Sequence, residues 1–345
     1  MINIPHSRPT LGPEEIRAVA RVLESGQIAQ GREVRKFEQA FARKNGARYA
    51  AAVNSGTSAL HLTLLAMGVG TGDEVILPSY VCTALLNAVR YVKATPILVD
   101  IDSASYNLDP KAVIGRLTRR TKAVVVPHMF GLAADLKPLL SLNVPIIEDC
   151  AQAVGGTYRN KPLGALGRAA VFSFYATKVI TTGEGGMVVS DSKRLIDRVR
   201  ELREYDKLDA TDIHYNYKMT DVQAAMGCVQ LKRLDDFVRR RRIIAGRYRR
   251  ALEGCDLALP PDDPGHIYYR YVIGLKKSAA RLIRFLHTRG MDCARPVHRP
   301  LHAVLKLKGY ANTESAWRRS ISVPIYPSLS KDQTGRVIEL LIDAL

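Results

Sequence analysis

Two apolar runs in this sequence end on side chains that can do chemistry. Val171-Phe172-Ser173-Phe174-Tyr175-Ala176-Thr177-Lys178 closes on a lysine, and Val144-Pro145-Ile146-Ile147-Glu148-Asp149 closes on a carboxylate. A lysine at the mouth of a buried strand is poorly solvated, which favours the neutral amine, a nucleophile toward carbonyls. A lone strand-end lysine more often snorkels into solvent. The carboxylate at the end of a second strand gives the chemical reading its weight. Thr182-Gly183-Glu184-Gly185-Gly186 follows the lysine, a glycine cluster that no helix tolerates.

Pyridoxal phosphate requires this pair: a lysine for its Schiff base and an acid that keeps the pyridine nitrogen protonated. Glu148-Asp149-Cys150-Ala151-Gln152-Ala153 and Phe172-Ser173-Phe174-Tyr175-x-Thr177-Lys178, with Gly183-Glu184-Gly185-Gly186 behind them, resemble motifs of the DegT/StrS sugar-nucleotide aminotransferases. The resemblance runs along nearly the whole chain. It implies an aspartate-aminotransferase-like (fold type I) architecture, pyridoxal 5'-phosphate as cofactor, and amino transfer from L-glutamate to a nucleotide-linked keto-sugar.

By that resemblance Lys178 carries the Schiff base and shuttles the proton, and Asp149 pairs with the pyridinium. Gln152 meets the ring hydroxyl, and Tyr80, in Pro78-Ser79-Tyr80-Val81-Cys82-Thr83, covers one ring face. Asn54-Ser55-Gly56-Thr57-Ser58 reads as a small turn opening a helix, whose free N–H groups and dipole suit a phosphate. Gly56, Thr57, Ser58 and Ser173 are the implied phosphate ligands. Asn216, in Asn216-Tyr217-Lys218-Met219-Thr220, resembles a residue that crosses to the neighbouring subunit's phosphate, so a homodimer with shared sites is implied. His128 matches a family histidine and reads as support behind the ligands. Gln27 stands where the family often has an aromatic residue. The stretch between Asp206 and Asn216 is short and lacks the family's glycine, so substrate-loop details do not carry over.

Seven strands must position these groups: runs ending at Val53, Asp149 and Phe174, plus Glu74–Leu77, Thr95–Val99, Ala123–Val126 and Met187–Val189. Their near-continuous apolar character predicts a mostly parallel sheet covered on both faces, with ligands beyond the strand ends. Pro13 opens a first helix with apolar positions Ile16, Val19, Val22 and Leu23, and Thr220 with Gln223 forms a capping box for a later one. The proline-rich run Pro260–Gly265 reads as a linker. It divides a large cofactor-binding domain, residues 1–258 with the N-terminal helices, from a small C-terminal α+β domain, residues 259–345.

The formal charge of +18, much of it in Arg239-Arg240-Arg241-Arg242 and Arg247, Arg249 and Arg250, suits an anionic substrate, nucleic acid or solubility. No zinc finger, helix-turn-helix or aromatic RNA motif accompanies it, and the cluster reads as a solvated helix face. His298 and His302 flank Pro300 and share no helix face, and the five cysteines have no zinc spacing, so no metal is expected. No run approaches the ~20 apolar residues of a membrane span, Met1–Pro9 lacks a signal peptide's core, and a cytoplasmic protein is expected. Two rivals stand beside the aminotransferase. One is a sugar dehydratase of the same family, in which a histidine replaces the lysine. The other is a regulatory or nucleic-acid-binding protein on a retired scaffold.

Overall fold

The computed structural model describes residues 4–206 and 213–344. Residues 207–212, the middle of the short substrate-loop stretch, lie outside the described residues. Strands β1 (Tyr49–Val53), β2 (Glu74–Pro78), β3 (Thr95–Val99), β4 (Thr121–Pro127) and β5 (Ile146–Asp149) come first; a small hairpin, β6 (Thr157–Tyr158) and β7 (Lys161–Pro162), precedes β8 (Ala169–Ser173) and β9 (Gly186–Ser190). Seven of them form one sheet in the order β1-β9-β8-β5-β4-β2-β3. Only β9 runs antiparallel to its neighbours. All seven expected strands are therefore present.

Both faces of the sheet are dry. Ala51, Val53, Leu77, Val125, Ile147 and Val171 pack on one side beneath the helices Gly56–Ala66 and Thr83–Tyr91. Their alternates Ala52, Phe172 and Val189, or Ile76, Val124 and Ile146, fill separate clusters on the other side. This period of two is what a sheet buried on both faces dictates. It also decides the chemistry, because Asp149 continues the row of Ile147 and Ser173 the row of Val171.

Helix Pro13–Ser25 forms as expected and stops at Gly26, whose φ of 69° a side chain would resist. Its buried face differs from the expected one. Glu15, Ala18 and Val22 face inward, whereas Ile16 and Leu23 are 70% and 57% exposed. Glu15 is held by Gly12 N–H, Gln230 and Arg233, and that buried carboxylate rotates the helix away from the apolar stripe. The Thr220–Gln223 capping box opens the helix Asp221–Lys232, as expected.

At the C-terminus β10 (Leu257–Ala258), β11 (Tyr271–Leu275) and β12 (Ser320–Val323) form an antiparallel sheet. Its core does not break at residue 258. Ile4 and the residues Ile244, Tyr248 and Leu252 of helix Leu234–Leu252 pack into it with Tyr271, Ile321 and Leu340.

The arginine run on that helix is not a solvated face. Arg241 is buried, its guanidinium donating to the carbonyls of Tyr268, Tyr269 and Ile325. Arg240 donates to Pro327 and Leu329, and Arg242 to His266 and Pro264. Arg239, in an exposed pair with Asp236, and Arg250 face solvent as expected, and Arg242 stays exposed while it donates. A rigid fork of donors is matched here to backbone acceptors that strand pairing leaves over.

No helix among the described residues is long and apolar enough to cross a membrane.

Candidate active site

A cavity of about 300 Å³ opens at the carboxyl ends of the parallel strands. Ser55, Gly56 and Thr57 reach it after β1, Val81 and Cys82 after β2, and His128 after β4. Asp149 and Gln152 reach it from β5, and Ser173 and Lys178 from β8. Strands β5 and β8 are parallel neighbours in which Asp149 pairs with Val171. Lysine and carboxylate thus enter one space from adjacent strand ends.

Asp149 and Glu148 show how the strand sorts its acids. Glu148 points to the back, where it accepts from the N–H groups of Gly164 (2.9 Å), Leu166 (2.8 Å) and Gly167 (2.7 Å) and from His128 Nε2 (3.1 Å). Burial would raise its pKa, but the bonds from His128, Gly164 and Gly167 outweigh it and hold the carboxyl below the ordinary value. Asp149 accepts only the Ala151 N–H at 2.9 Å, and its second oxygen has no donor among the described residues. Burial, against the pull of that bond, of Lys178 and of His128, leaves its pKa raised. A buried carboxylate with a bare oxygen facing a cavity fits a cationic ring nitrogen.

At the other end, helix Gly56–Ala66 aims its N-terminus into the cavity. Ser55 caps it by accepting the Ser58 N–H at 3.1 Å. Gly56 has a steric reason: a Cβ there would lie 2.8 Å from the Cβ of Ser173. The two phosphate elements thus touch only because residue 56 lacks a side chain. The free N–H groups of Gly56 and Thr57 and the Ser173 hydroxyl suit a phosphate.

Gln152 uses its Oε1 to accept the Phe130 N–H at 2.9 Å, which leaves its NH2 as the group able to donate into the cavity. His128 is buried, with Nδ1 accepting the Ala134 N–H and Nε2 on Glu148. It sits near Glu148 and Cys150 in a three-residue cluster, but its nitrogens and the Glu148 oxygens are already engaged, so the cluster is a hydrogen-bonded support.

Two of the expected ligands turn away from this cavity, and the third, expected to serve the neighbouring subunit, is exposed outside it. Tyr80 is fully buried outside the cavity: its ring packs near Tyr106 and Phe130, and its hydroxyl reaches the Ala316 carbonyl at 3.4 Å. Val81 and Cys82 present themselves to the cavity instead, because the loop turns Tyr80 toward helix Ala311–Arg319. Ser58 is also turned away, its N–H spent on Ser55 and its hydroxyl donating to Asn54 Oδ1 at 2.7 Å. Ser55 is the hydroxyl at the cavity wall that the sequence reading missed. Asn216 is exposed and does not line the cavity of its own chain; its carbonyl meets Asn54 Nδ2 at 3.4 Å, and the Tyr217 carbonyl accepts the Asn54 N–H.

The residues present fit pyridoxal phosphate at each of its polar ends: helix N-terminus and Ser173 for the phosphate, Gln152 for the ring hydroxyl, Asp149 for the ring nitrogen, Lys178 for the carbonyl. Fold and cavity together define a pyridoxal-phosphate enzyme of fold type I. The model of the DegT/DnrJ/EryC1/StrS aminotransferase family matches residues 9–342, and the chain belongs to that family. Spore coat polysaccharide biosynthesis protein SpsC of Bacillus subtilis is 36% identical over 375 residues, covering 99% of this chain and 96% of its own. GDP-perosamine synthase of Escherichia coli O157:H7 is 36% identical over 353 residues, with 97% of each chain covered. The crystal structure of the aminotransferase TlmJ from Streptoalloteichus hindustanus matches with a TM-score of 0.95 at 34% identity, over 99% of this chain and 98% of that one.

Proposed function

We propose that this aminotransferase moves an amino group from L-glutamate to a nucleotide-linked keto-sugar, with pyridoxal phosphate joined to Lys178. The observation that carries the reading is the convergence of Lys178 and Asp149 on one cavity from β8 and β5. The similarity to GDP-perosamine synthase supports a nucleotide-sugar substrate.

When bound, pyridoxal phosphate supplies the electron sink that lets a carbon-bound proton leave. Gly56, Thr57, Ser55 and Ser173 would hold its phosphate, and Asp149 its ring nitrogen. Lys178 would hold its carbonyl carbon, and the lysine amine would serve as the base that takes that proton and returns it elsewhere. Gln152 would fix the ring's tilt through its NH2, its carbonyl end being anchored on Phe130. His128 and Glu148 keep the carboxyl end of β5 rigid, so that Asp149 does not swing.

We also infer a cytoplasmic homodimer. Five free cysteines suit a reducing compartment. Ile16, Leu23 and Ile28 are each more than half exposed, apolar side chains that a second copy would cover. Asn216, exposed beside the Asn54 turn, would then complete the partner's phosphate site.

Neither rival gains support. A dehydratase would carry histidine at position 178, and the basic run that suggested nucleic acid is largely spent on backbone carbonyls. The test is incubation of purified enzyme with glutamate and a panel of nucleotide keto-sugars, read by mass spectrometry. An amino-sugar product together with 2-oxoglutarate is expected; dehydrated product, or no transfer to any sugar, would overturn the reading.

A further inference from the structure

We propose that Tyr269 is a positioning residue for the lysine: its buried phenol forms the platform on which the free amine of Lys178 is held. The proposal rests on Lys178 being the reacting amine. Tyr269 lies outside the cavity wall, behind Lys178, whose Nζ stands 5.3 Å from the centroid of the ring. Its hydroxyl lies 3.4 Å from Thr177 Oγ1, on the residue just before the lysine. Ring and hydroxyl therefore grip two consecutive residues of the same turn.

The phenol is delivered there by a constrained segment. Tyr268 has a φ of 51°, in the left-handed region that a tyrosine rarely adopts, which turns its neighbour inward. Ile267 N–H and Arg270 N–H donate to the carbonyls of Gly131 and Phe130 and tie the segment to the turn that anchors Gln152. From the other side Arg241 donates to the Tyr269 carbonyl at 3.1 Å. Strain at a position held from several directions is a recurrent sign of function.

The charged groups acting on the phenol are cations. Lys178 faces the ring, and the Arg270 guanidinium lies 5.2 Å from its centroid. Arg241 approaches from helix Leu234–Leu252, and Asp149, across the cavity, acts on Lys178. Arg270 is itself fixed by His6, 2.9 Å from its Nη1, and His6 by Ser322 Oγ at 2.8 Å. Burial and then Arg270 lower His6 to about 3, so it remains a neutral acceptor. Burial alone would raise Tyr269, but Lys178, then Arg270, the Thr177 bond and Arg241 bring it down to about 8. The platform thus offers a lysine ammonium a π face and, near neutral pH, a fraction of phenolate.

The coupling is testable without cofactor. In the apoenzyme one tyrosine should ionise near pH 8 by ultraviolet difference absorbance, and Tyr269→Phe should remove that step. Lys178→Met, which leaves the phenol in place, should move the midpoint up toward the ordinary value of about 10. In the loaded enzyme Tyr269→Phe keeps the π face and should retain much of kcat while losing pH dependence near 8. Tyr269→Leu should lose roughly 10²-fold in kcat with little change in KM, as for a misplaced reacting group. An unmoved midpoint in Lys178→Met, or full kcat in folded Tyr269→Leu, would overturn the proposal. If the cofactor proves to be attached elsewhere, the reading of Lys178 fails, while the apoenzyme coupling still reports on Tyr269.

Discussion

Glu148 and Asp149 are chain neighbours at the end of one strand, yet Glu148 accepts four hydrogen bonds and Asp149 accepts one. The strand's alternation sends one carboxylate into a closed hydrogen-bonding pocket and the other into the cavity. Their pKa values move apart accordingly, Glu148 down and Asp149 up. One acid is satisfied within the fold, and the other lines the cavity with an oxygen to spare.

Asp149→Asn should lower kcat by about 10²–10³-fold, the scale for losing one preorganised electrostatic partner. The same change should stabilise the apoenzyme at neutral pH. The raised carboxyl contributes its full stability below the unfolded value of 3.8 and loses it as pH rises through its folded value. The variant's advantage in urea melts should therefore be absent in acid and grow toward neutrality. A variant less stable at neutral pH would show that Asp149 serves the fold.

Glu148→Gln should do the opposite. An amide NH2 cannot accept from the N–H groups that Glu148 now satisfies, which costs about 3 kcal/mol. The depressed carboxyl contributes stability above the unfolded value of 4.5 and loses it as pH falls through its folded value. The wild type should thus lose its margin over the variant in that acid window. Parallel denaturation curves at all pH values would contradict this.

Arg241→Met should destabilise the protein by roughly 3 kcal/mol, because three buried carbonyls lose their donor. Lysine should rescue little, having no planar fork. Arg239→Ala, on the exposed neighbour, should change stability by less than about 0.5 kcal/mol. Equal effects at the two positions would restore the solvated-face reading.

These differences mark what sequence could and could not tell. The strand ends were legible, since buried parallel strands read as unbroken apolar runs, and so were Lys178, Asp149, Gln152 and Ser173 as cavity residues. Within turns the side chains at the cavity wall stand two or three residues from the expected ones. Tyr80 rather than Cys82 was expected at the cavity, and Ser58 rather than Ser55, because a cap or loop bend decides which side chain turns inward. The arginine run misled because backbone acceptors leave no trace in a sequence. Tyr269 was hidden for another reason: it lies in the loop before β11, which begins at Tyr271, and no motif ties that loop to Lys178.

Mixing Lys178→Ala chains with Asn216→Ala chains tests the shared site. Heterodimers would hold one doubly defective site and one intact site, restoring up to about half the activity per heterodimer. Unchanged cofactor affinity in Asn216→Ala, or active monomers in sedimentation, would rule out a partner role for Asn216.

The central claim is that Lys178 is the amine that carries the cofactor. Purified protein loaded with pyridoxal phosphate should be reduced with borohydride, digested, and mapped by mass spectrometry. Label on the peptide containing Lys178, and its loss in Lys178→Ala, is the predicted result. Label on another lysine, or a protein that takes up no cofactor, would contradict the account.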